Sequence, residues 1–230
     1  MYSKESLCKL INLMNVAQLN YEKKKIQEIK MAISSGNRKI GRVMNVSLPP
    51  ILTCGKRCSG CIGICYDIKA CLQYPNTVID ARIRNYVILQ KSRDEFFGRV
   101  DEAMSRRRKN KFFRWHVAGD IVDLDYFSRM VYIAQKHPDF VIWTYTKQYE
   151  IVNEYCDKFG RDSIPDNFTI MFSEWRGIEM INPYHFPEFR VVFKDDEVKP
   201  VGFYCPGNCD ICKENHRGCV AQETVYCNEH

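Results

Sequence analysis

No apolar run in this 230-residue chain approaches the roughly 18 residues a helix needs to cross a bilayer, so helical membrane spans are excluded. The opening stretch, MYSKESLCKLINLMN, has an early acidic residue and no long apolar segment. It does not read as a secretory signal, and the expectation is a cytoplasmic protein without membrane contact. Internal repeats are missing, which excludes solenoids and propellers. Low-complexity linkers are missing too, which argues against a string of loosely tethered modules. A large charge excess is also absent: the net charge is +6, and much of it sits in SRRRKNKFFRW at 105–115. What is present is a globular composition, 45% hydrophobic and 13% aromatic, enough for one sizeable core.

Cysteine is the residue in excess. There are twelve, and they are unevenly placed. Cys54, Cys58, Cys61 and Cys65 fall within TCGKRCSGCIGICY, and Cys71 follows. Cys205, Cys209, Cys212, Cys219 and Cys227 fall within the last 26 residues. A reducing compartment disfavours disulfides, and clustering at short, loop-like spacings reads as metal binding. The soft thiolate sets suit zinc or an iron–sulfur cluster. Cys8, Cys71 and Cys156 read as buried small hydrophobes, with Cys71 an alternative ligand to Cys65. Cys227 reads as a spare thiol or a tail ligand.

Periodicity divides the chain into three parts. Residues 1–36 form a helical N-terminal segment, with Leu7, Leu10, Ile11, Met14 and Ala17 at helical spacing within 4–33. Residues 37–200 form an α/β core. An extended stretch at 41–54 leads into the first cysteines, and helices are expected at about 78–91 and from the Ser92/Glu95 capping pattern onward. Strands at 112–118, 139–145 and 167–173 then alternate with helices at 122–136 and 147–159, and FRVVF at 189–193 reads as a further strand. This order predicts a parallel sheet of about five strands, open or curled into a partial (β/α) barrel. Residues 201–230 form a cysteine-rich tail with little periodicity, of the kind a metal or cluster holds together.

In such architectures chemistry collects at the carboxyl ends of the strands. The first extended segment ends at Cys54, the next in AGD with Gly119 and Asp120, the next in TYTK with Lys147, and the next in SEW with Ser173 and Glu174. Strict alternation along 112–118 sets Arg114, His116 and Ala118 on one face and Phe113, Trp115 and Val117 on the other. His116 is then either a site residue or a hydrogen-bonded core histidine. The 106–114 basic stretch is either a nucleic-acid contact or the solvated end of a helix. Tyr66 is either core or a stacking partner for a cofactor. The aromatic, Pro-rich NPYHFPEF loop either covers the site or packs.

The spacing Cys54-x3-Cys58-x2-Cys61 resembles the CxxxCxxC loop of the radical S-adenosylmethionine superfamily. The resemblance implies a [4Fe–4S] cluster on three thiolates, with the fourth iron open to the amino and carboxylate groups of S-adenosylmethionine. The spacing recurs at Cys205-x3-Cys209-x2-Cys212, with Cys219 seven residues on, for a second cluster or a structural zinc. More narrowly, LPPILTCGKRCSGCIGICY, FFRWHVAGDI, WTYTK and CPGNCDIC resemble the phage gene-product-88 domain family over about residues 40–220. That family's Thr-Cys start and Cys-Tyr end match Cys54, Cys61 and Cys65-Tyr66 and leave Cys58 as the extra thiol. Gly60 stands where radical enzymes usually carry an aromatic or hydrophobic residue before the third cysteine, whereas Ile64 precedes Cys65. Four iron-bound thiols would leave S-adenosylmethionine no site.

The resulting expectation is an iron–sulfur protein of phage type in the host cytoplasm, a radical-enzyme-like catalyst acting on a nucleotide, nucleic acid or other small substrate. His116, Asp120, Lys147 and Glu174 form its catalytic set, and Tyr66, Gly119, Asp120 and Ser173 its cofactor-facing set. The alternative is a non-catalytic iron–sulfur or zinc protein that binds nucleic acid or a protein partner.

Overall fold

The computed structural model describes residues 1–37, 40–55 and 59–229. Eight helices are described: α1 (Lys4–Glu22), α2 (Ser59–Gly63), α3 (Tyr66–Gln73), α4 (Asp80–Lys91), α5 (Arg93–Ser105), α6 (Leu124–Lys136), α7 (Tyr149–Phe159) and α8 (Cys209–Asn215). The strands among these residues are β1 (Ile33–Ser34), β2 (Met44–Val46), β3 (Phe112–Trp115), β4 (Val141–Thr146), β5 (Phe168–Ser173), β6 (Glu188–Val192), β7 (Phe203–Tyr204) and β8 (Val225–Asn228). They form one sheet in the order β1-β2-β3-β4-β5-β6-β8-β7. All pairings are parallel except β1 on β2. The sheet therefore has eight strands where periodicity predicted about five. The three extra ones are two-residue β1 and β7 and the tail strand β8, all too short or too atypical to show alternation.

From β2 to β6 each strand lies beside the one before it in the chain. Right-handed crossovers that never reverse direction keep their helices on one side of the sheet. The core shows this. Phe113 and Trp115 of β3, Ile142 of β4, and Phe168, Ile170 and Phe172 of β5 pack with Leu10, Met14, Val87, Phe97, Phe127 and Val152 from the helices. The opposite face carries Trp143, Met171 and Val225, and the tail covers it through Cys212, Cys219 and Val220. The tail thus extends the sheet through β8 and shields its second face.

Local chemistry explains the helix ends. Ser3 caps α1 by accepting from the Ser6 N–H. The helix stops at Glu22 rather than running to 33, because the lysines at 23–25 supply no apolar face, and Lys91 Nζ donates to the Glu22 carbonyl at 2.8 Å. Ser92 caps α5 as the sequence predicts, accepting from the Glu95 N–H at 3.2 Å. The Glu95 carboxylate binds Arg99 instead of closing the box. Asp123 caps α6 by accepting from the Tyr126 N–H at 2.9 Å. Asn85, fully buried on α4, accepts from the Ala32 N–H and donates to the carbonyls of Ala32 and Ser47, fastening β1 and the end of β2 to the helical layer. Among the described residues no helix is long and apolar enough to cross a membrane.

Candidate functional site

The carboxyl ends of β2 to β5 are joined side to side. The His116 N–H donates to the Val46 carbonyl at 3.0 Å, and the Leu48 N–H donates to the Ala118 carbonyl at 3.0 Å. The loops after β2 and β3 therefore run together. Gly119, at φ 84°, makes the close approach possible: a Cβ there would lie 2.7 Å from Thr53 Oγ1 and 2.8 Å from Leu48 Cβ. The left-handed backbone already favours glycine, and the space excludes anything larger.

Asp120 follows and is buried. Its Oδ1 accepts from the Thr146 hydroxyl at 2.6 Å and the Ile121 N–H at 2.7 Å. Its Oδ2 accepts from the Lys147 N–H at 3.0 Å. Burial raises the carboxyl above its ordinary value, against the pull of these donors. Lys147 reaches on to the next strand, donating from Nζ to Ser173 Oγ at 2.9 Å, and the Tyr149 hydroxyl donates to the Ser173 carbonyl. Gly119, Asp120, Lys147 and Ser173, four residues expected at the rim, thus share one connected rim.

The first thiols sit over it. Cys54, Cys61 and Cys65 are half-buried and close enough to influence one another's charge. Burial, then the neighbouring Asp120 carboxylate, pushes the Cys54 thiol up to about 12. Cys65 occupies the N-cap of α3, where burial raises its thiol above the ordinary value, against the pull of the Ile68 and Asp67 backbone N–H groups. Cys58 lies outside the described residues. Cys71 is fully buried, and its thiol faces Asp67, itself paired with Arg82 at 3.0 Å. Cys156 is buried as expected, whereas Cys8 is exposed on α1, contrary to the expectation that it packs inside.

The second group lies on the face of the sheet that the tail covers. Cys212 and Cys219 are buried, Cys209 is half-buried and Cys205 is exposed. The Tyr145 hydroxyl and Cys219 Sγ are hydrogen-bonded at 2.9 Å. The Arg114 guanidinium lies 4.4 Å from the centre of the Tyr145 ring, and its charge bears on the Cys209 thiol. Tyr145 escaped the sequence reading, although alternation along β4 puts it on the face of Trp143. Arg114, read either as a substrate or cofactor contact or as an extension of the basic stretch, points into the protein, and Lys111 pairs with Asp139, leaving Arg106, Arg108 and Lys109 exposed at the opposite end of the sheet from Cys54.

His116 also departs from the expected alternation. The strand ends at Trp115, and His116 takes a left-handed φ of 54°. Its ring turns to the helical side, sharing a 2.9 Å hydrogen bond with the Tyr126 hydroxyl and stacking on that ring. Val117 falls instead on the tail side. Burial, and secondarily Arg114, lowers the His116 pKa to about 3, so the ring is neutral at pH 7. Between pH 6.5 and about 3 the unfolded chain holds a proton that the folded one refuses, so stability falls as pH falls through that window. The expected slope from this one group is about 1.4 kcal/mol per pH unit. Urea unfolding of wild type and His116→Gln at pH 7, 6 and 5 checks it: the wild-type-minus-variant difference should shrink on acidification, and an unchanged difference contradicts the neutral ring.

Two further candidates lie at the margins. Tyr66 donates to the Val117 carbonyl from a position 40% exposed, so it borders the site rather than the core. Glu174 pairs with Arg190 at 3.4 Å and lines a cavity of about 450 Å³ with Trp175, Arg176, Phe193 and Asp196. Lys147 links this cavity to the rim, its Nζ 5.9 Å from the Trp175 ring centre.

Among the described residues no three or more His, Cys, Asp or Glu side chains stand ready-arranged to hold a metal ion. The soft sulfur donors of both groups are of the kind thiophilic metals prefer, but the described side chains do not close around one.

Comparison with curated proteins and with solved structures gives no match. Residues 14–225 match the family model described as Gene product 88, which spans nearly all of the sheet and both groups of thiols, and the chain belongs to that family.

Proposed function

We propose that the chain is an iron–sulfur enzyme of phage type whose catalytic cluster is held over the carboxyl rim of the sheet by Cys54, Cys61 and Cys65 or by a triad that includes Cys58. The observation that supports the reading is the Cys54 thiol lying within reach of the buried Asp120 carboxylate, which ties the ends of β3 and β4 together. When bound, such a cluster supplies an electron for reductive cleavage of S-adenosylmethionine. The protein's own part is positional. Asp120 fixes the β3 and β4 loops, Gly119 lets the Cys54 loop close onto them, and Tyr66 stands at the edge of the site. Lys147 and Ser173 connect the rim to the cavity beside Glu174, whose size suits a small or nucleotide-sized substrate. His116, neutral and bonded to Tyr126, supports the rim from beneath. The consecutive parallel order from β2 to β6, with the tail on the second face of the sheet, supports this reading.

Anaerobic purification with iron and sulfide analysis tests the metal, and reduction in the presence of S-adenosylmethionine tests the reaction. The expected result is a brown protein that releases 5′-deoxyadenosine and methionine. Iron-loaded protein that yields neither product excludes the radical reading. The exposed Arg106, Arg108 and Lys109 favour a second reading, in which the metal sites brace a nucleic-acid-binding module. In that case RNA or DNA binding weakens steeply with salt and with charge removal at these three positions.

A further inference from the structure

We infer that the cavity beside Glu174 is a nucleoside site that takes a guanine-type base, stacked on Trp175 with its donor edge against the Glu174 carboxylate. This names the substrate class of the proposed function, and it rests on that reading only in taking the cavity as the substrate site. Neither group of thiols is needed for it.

Two turns build the cavity at the carboxyl ends of neighbouring strands. After β5, the Ile178 N–H donates to the Trp175 carbonyl at 3.1 Å, and Gly177 supplies the left-handed φ of 79° that this turn uses. After β6, the Phe193 N–H donates to Asp196 Oδ2 at 2.7 Å, and the Asp196 N–H returns to the Phe193 carbonyl at 3.2 Å. Arg176 joins the two turns by pairing with Asp195 at 2.8 Å and with Asp196. The Glu174 N–H donates to the Phe189 carbonyl at 2.9 Å, so the strand ladder fixes where its side chain begins. The walls are thus set by the protein's own bonds.

The lining selects a flat ligand with a donor edge. Trp175 and Phe193 meet edge to face, with ring centres 5.3 Å apart at 77°, so a planar ring laid on one has its rim toward the other. Ile178, Met180 and Val191 supply the apolar remainder. The cations nearby are engaged: Arg176 by Asp195 and Asp196, Arg190 by Glu188 and Glu174, and Lys147 by Ser173. A phosphate needs an uncommitted guanidinium or ammonium and gains little here. Glu174 has acceptor capacity to spare, because its side chain is 44% exposed and its ion pair with Arg190 is long, at 3.4 Å. A carboxylate presents about four acceptor sites and no donor. Guanine offers it two adjacent donors, the ring N1–H and the exocyclic amine. Adenine sets an acceptor nitrogen beside its amine, and hypoxanthine has no amine.

The test is titration of the full chain with guanosine, inosine, adenosine and guanosine 5′-monophosphate, read by calorimetry and by tryptophan emission, with no reductant or S-adenosylmethionine present. Trp115 and Trp143 are fully buried, so Trp175 is the tryptophan whose emission a ligand can reach. Guanosine should bind and change the emission, inosine and adenosine should bind about tenfold more weakly, and the monophosphate should bind no more tightly than guanosine. Trp175→Leu should weaken guanosine binding about ten- to a hundredfold, and Trp175→Phe, which keeps a ring, should recover part of the loss. Glu174→Gln should erase the advantage of guanosine over inosine, because its amide oxygen accepts but its amide nitrogen meets the second donor with a donor. That side chain is exposed, so the variant remains informative if Trp175→Leu does not fold. Adenosine binding as tight as guanosine would overturn the guanine assignment, as would a monophosphate about tenfold tighter than the nucleoside. No binding by any probe, or full binding by Trp175→Leu, would overturn the site itself. Release of 5′-deoxyadenosine by iron-loaded protein tests the proposed chemistry separately, so the two failures are told apart.

Discussion

Cys54→Ser should remove the iron of the proposed rim cluster and bring S-adenosylmethionine cleavage to background. Serine matches cysteine in size but offers a hard, weakly acidic oxygen where iron–sulfur ligation needs a soft thiolate. The position matters as much as the atom. Cys54 lies just past the point where the β2 loop is pinned, by the Thr53 hydroxyl donating to the Pro49 carbonyl at 2.8 Å and by the close pass of Gly119. It is the described rim thiol nearest in sequence to a strand end, so it anchors the site to the sheet. Cys54 stands outside both hydrophobic clusters, so the far-ultraviolet circular dichroism of the variant should match wild type. Cys8→Ser is the control. Cys8 is exposed on α1, and that variant should keep its full iron and activity. Cys65→Ser should behave as Cys54→Ser does, because α3 presents that sulfur to the same site. If Cys54→Ser retains both iron and product formation, the catalytic cluster is elsewhere and the rim proposal fails.

The rim was legible in the sequence because its residues are polar at places where a buried parallel strand should be apolar. AGD, TYTK and SEW each end a hydrophobic run, and the structure joins them through Asp120, Lys147 and Ser173. The alternating strands and helices from 112 to 173 were legible for the same reason: β-branched and aromatic runs stop at turns, and α6 and α7 are strongly amphipathic. Sequence pattern failed where tertiary context decides. Alternation cannot foresee that the backbone flips at His116, because a left-handed residue reverses which side the next ones face. Composition cannot show that Arg114 turns away from its basic neighbours to face two thiols. The tail is the clearest case. Its strand β8 has four residues, and β8 inserts between β6 and the two-residue β7, so it carries no periodic signal that a window could detect.

Asp120→Ala should lower stability by about 3 kcal/mol, because it strands buried donors rather than because it removes a contact. The wild-type carboxylate satisfies the Ile121 and Lys147 N–H groups and the Thr146 hydroxyl together. The hydroxyl rotates and keeps a role as acceptor of the Gln148 N–H at 2.9 Å, but the two backbone donors cannot move without opening the loops after β3 and β4. In a chain of this size the loss corresponds to a melting temperature lower by about 6–12 °C. Asp120→Asn separates geometry from charge. Its carbonyl oxygen can keep Thr146 and Ile121, but its amide then faces the Lys147 N–H donor to donor, so it should melt between wild type and alanine. Thermal melts of both variants, read beside iron content, check this order. An alanine variant that melts within about 2 °C of wild type would show that water reaches the stranded donors and that the rim is open where burial places it closed.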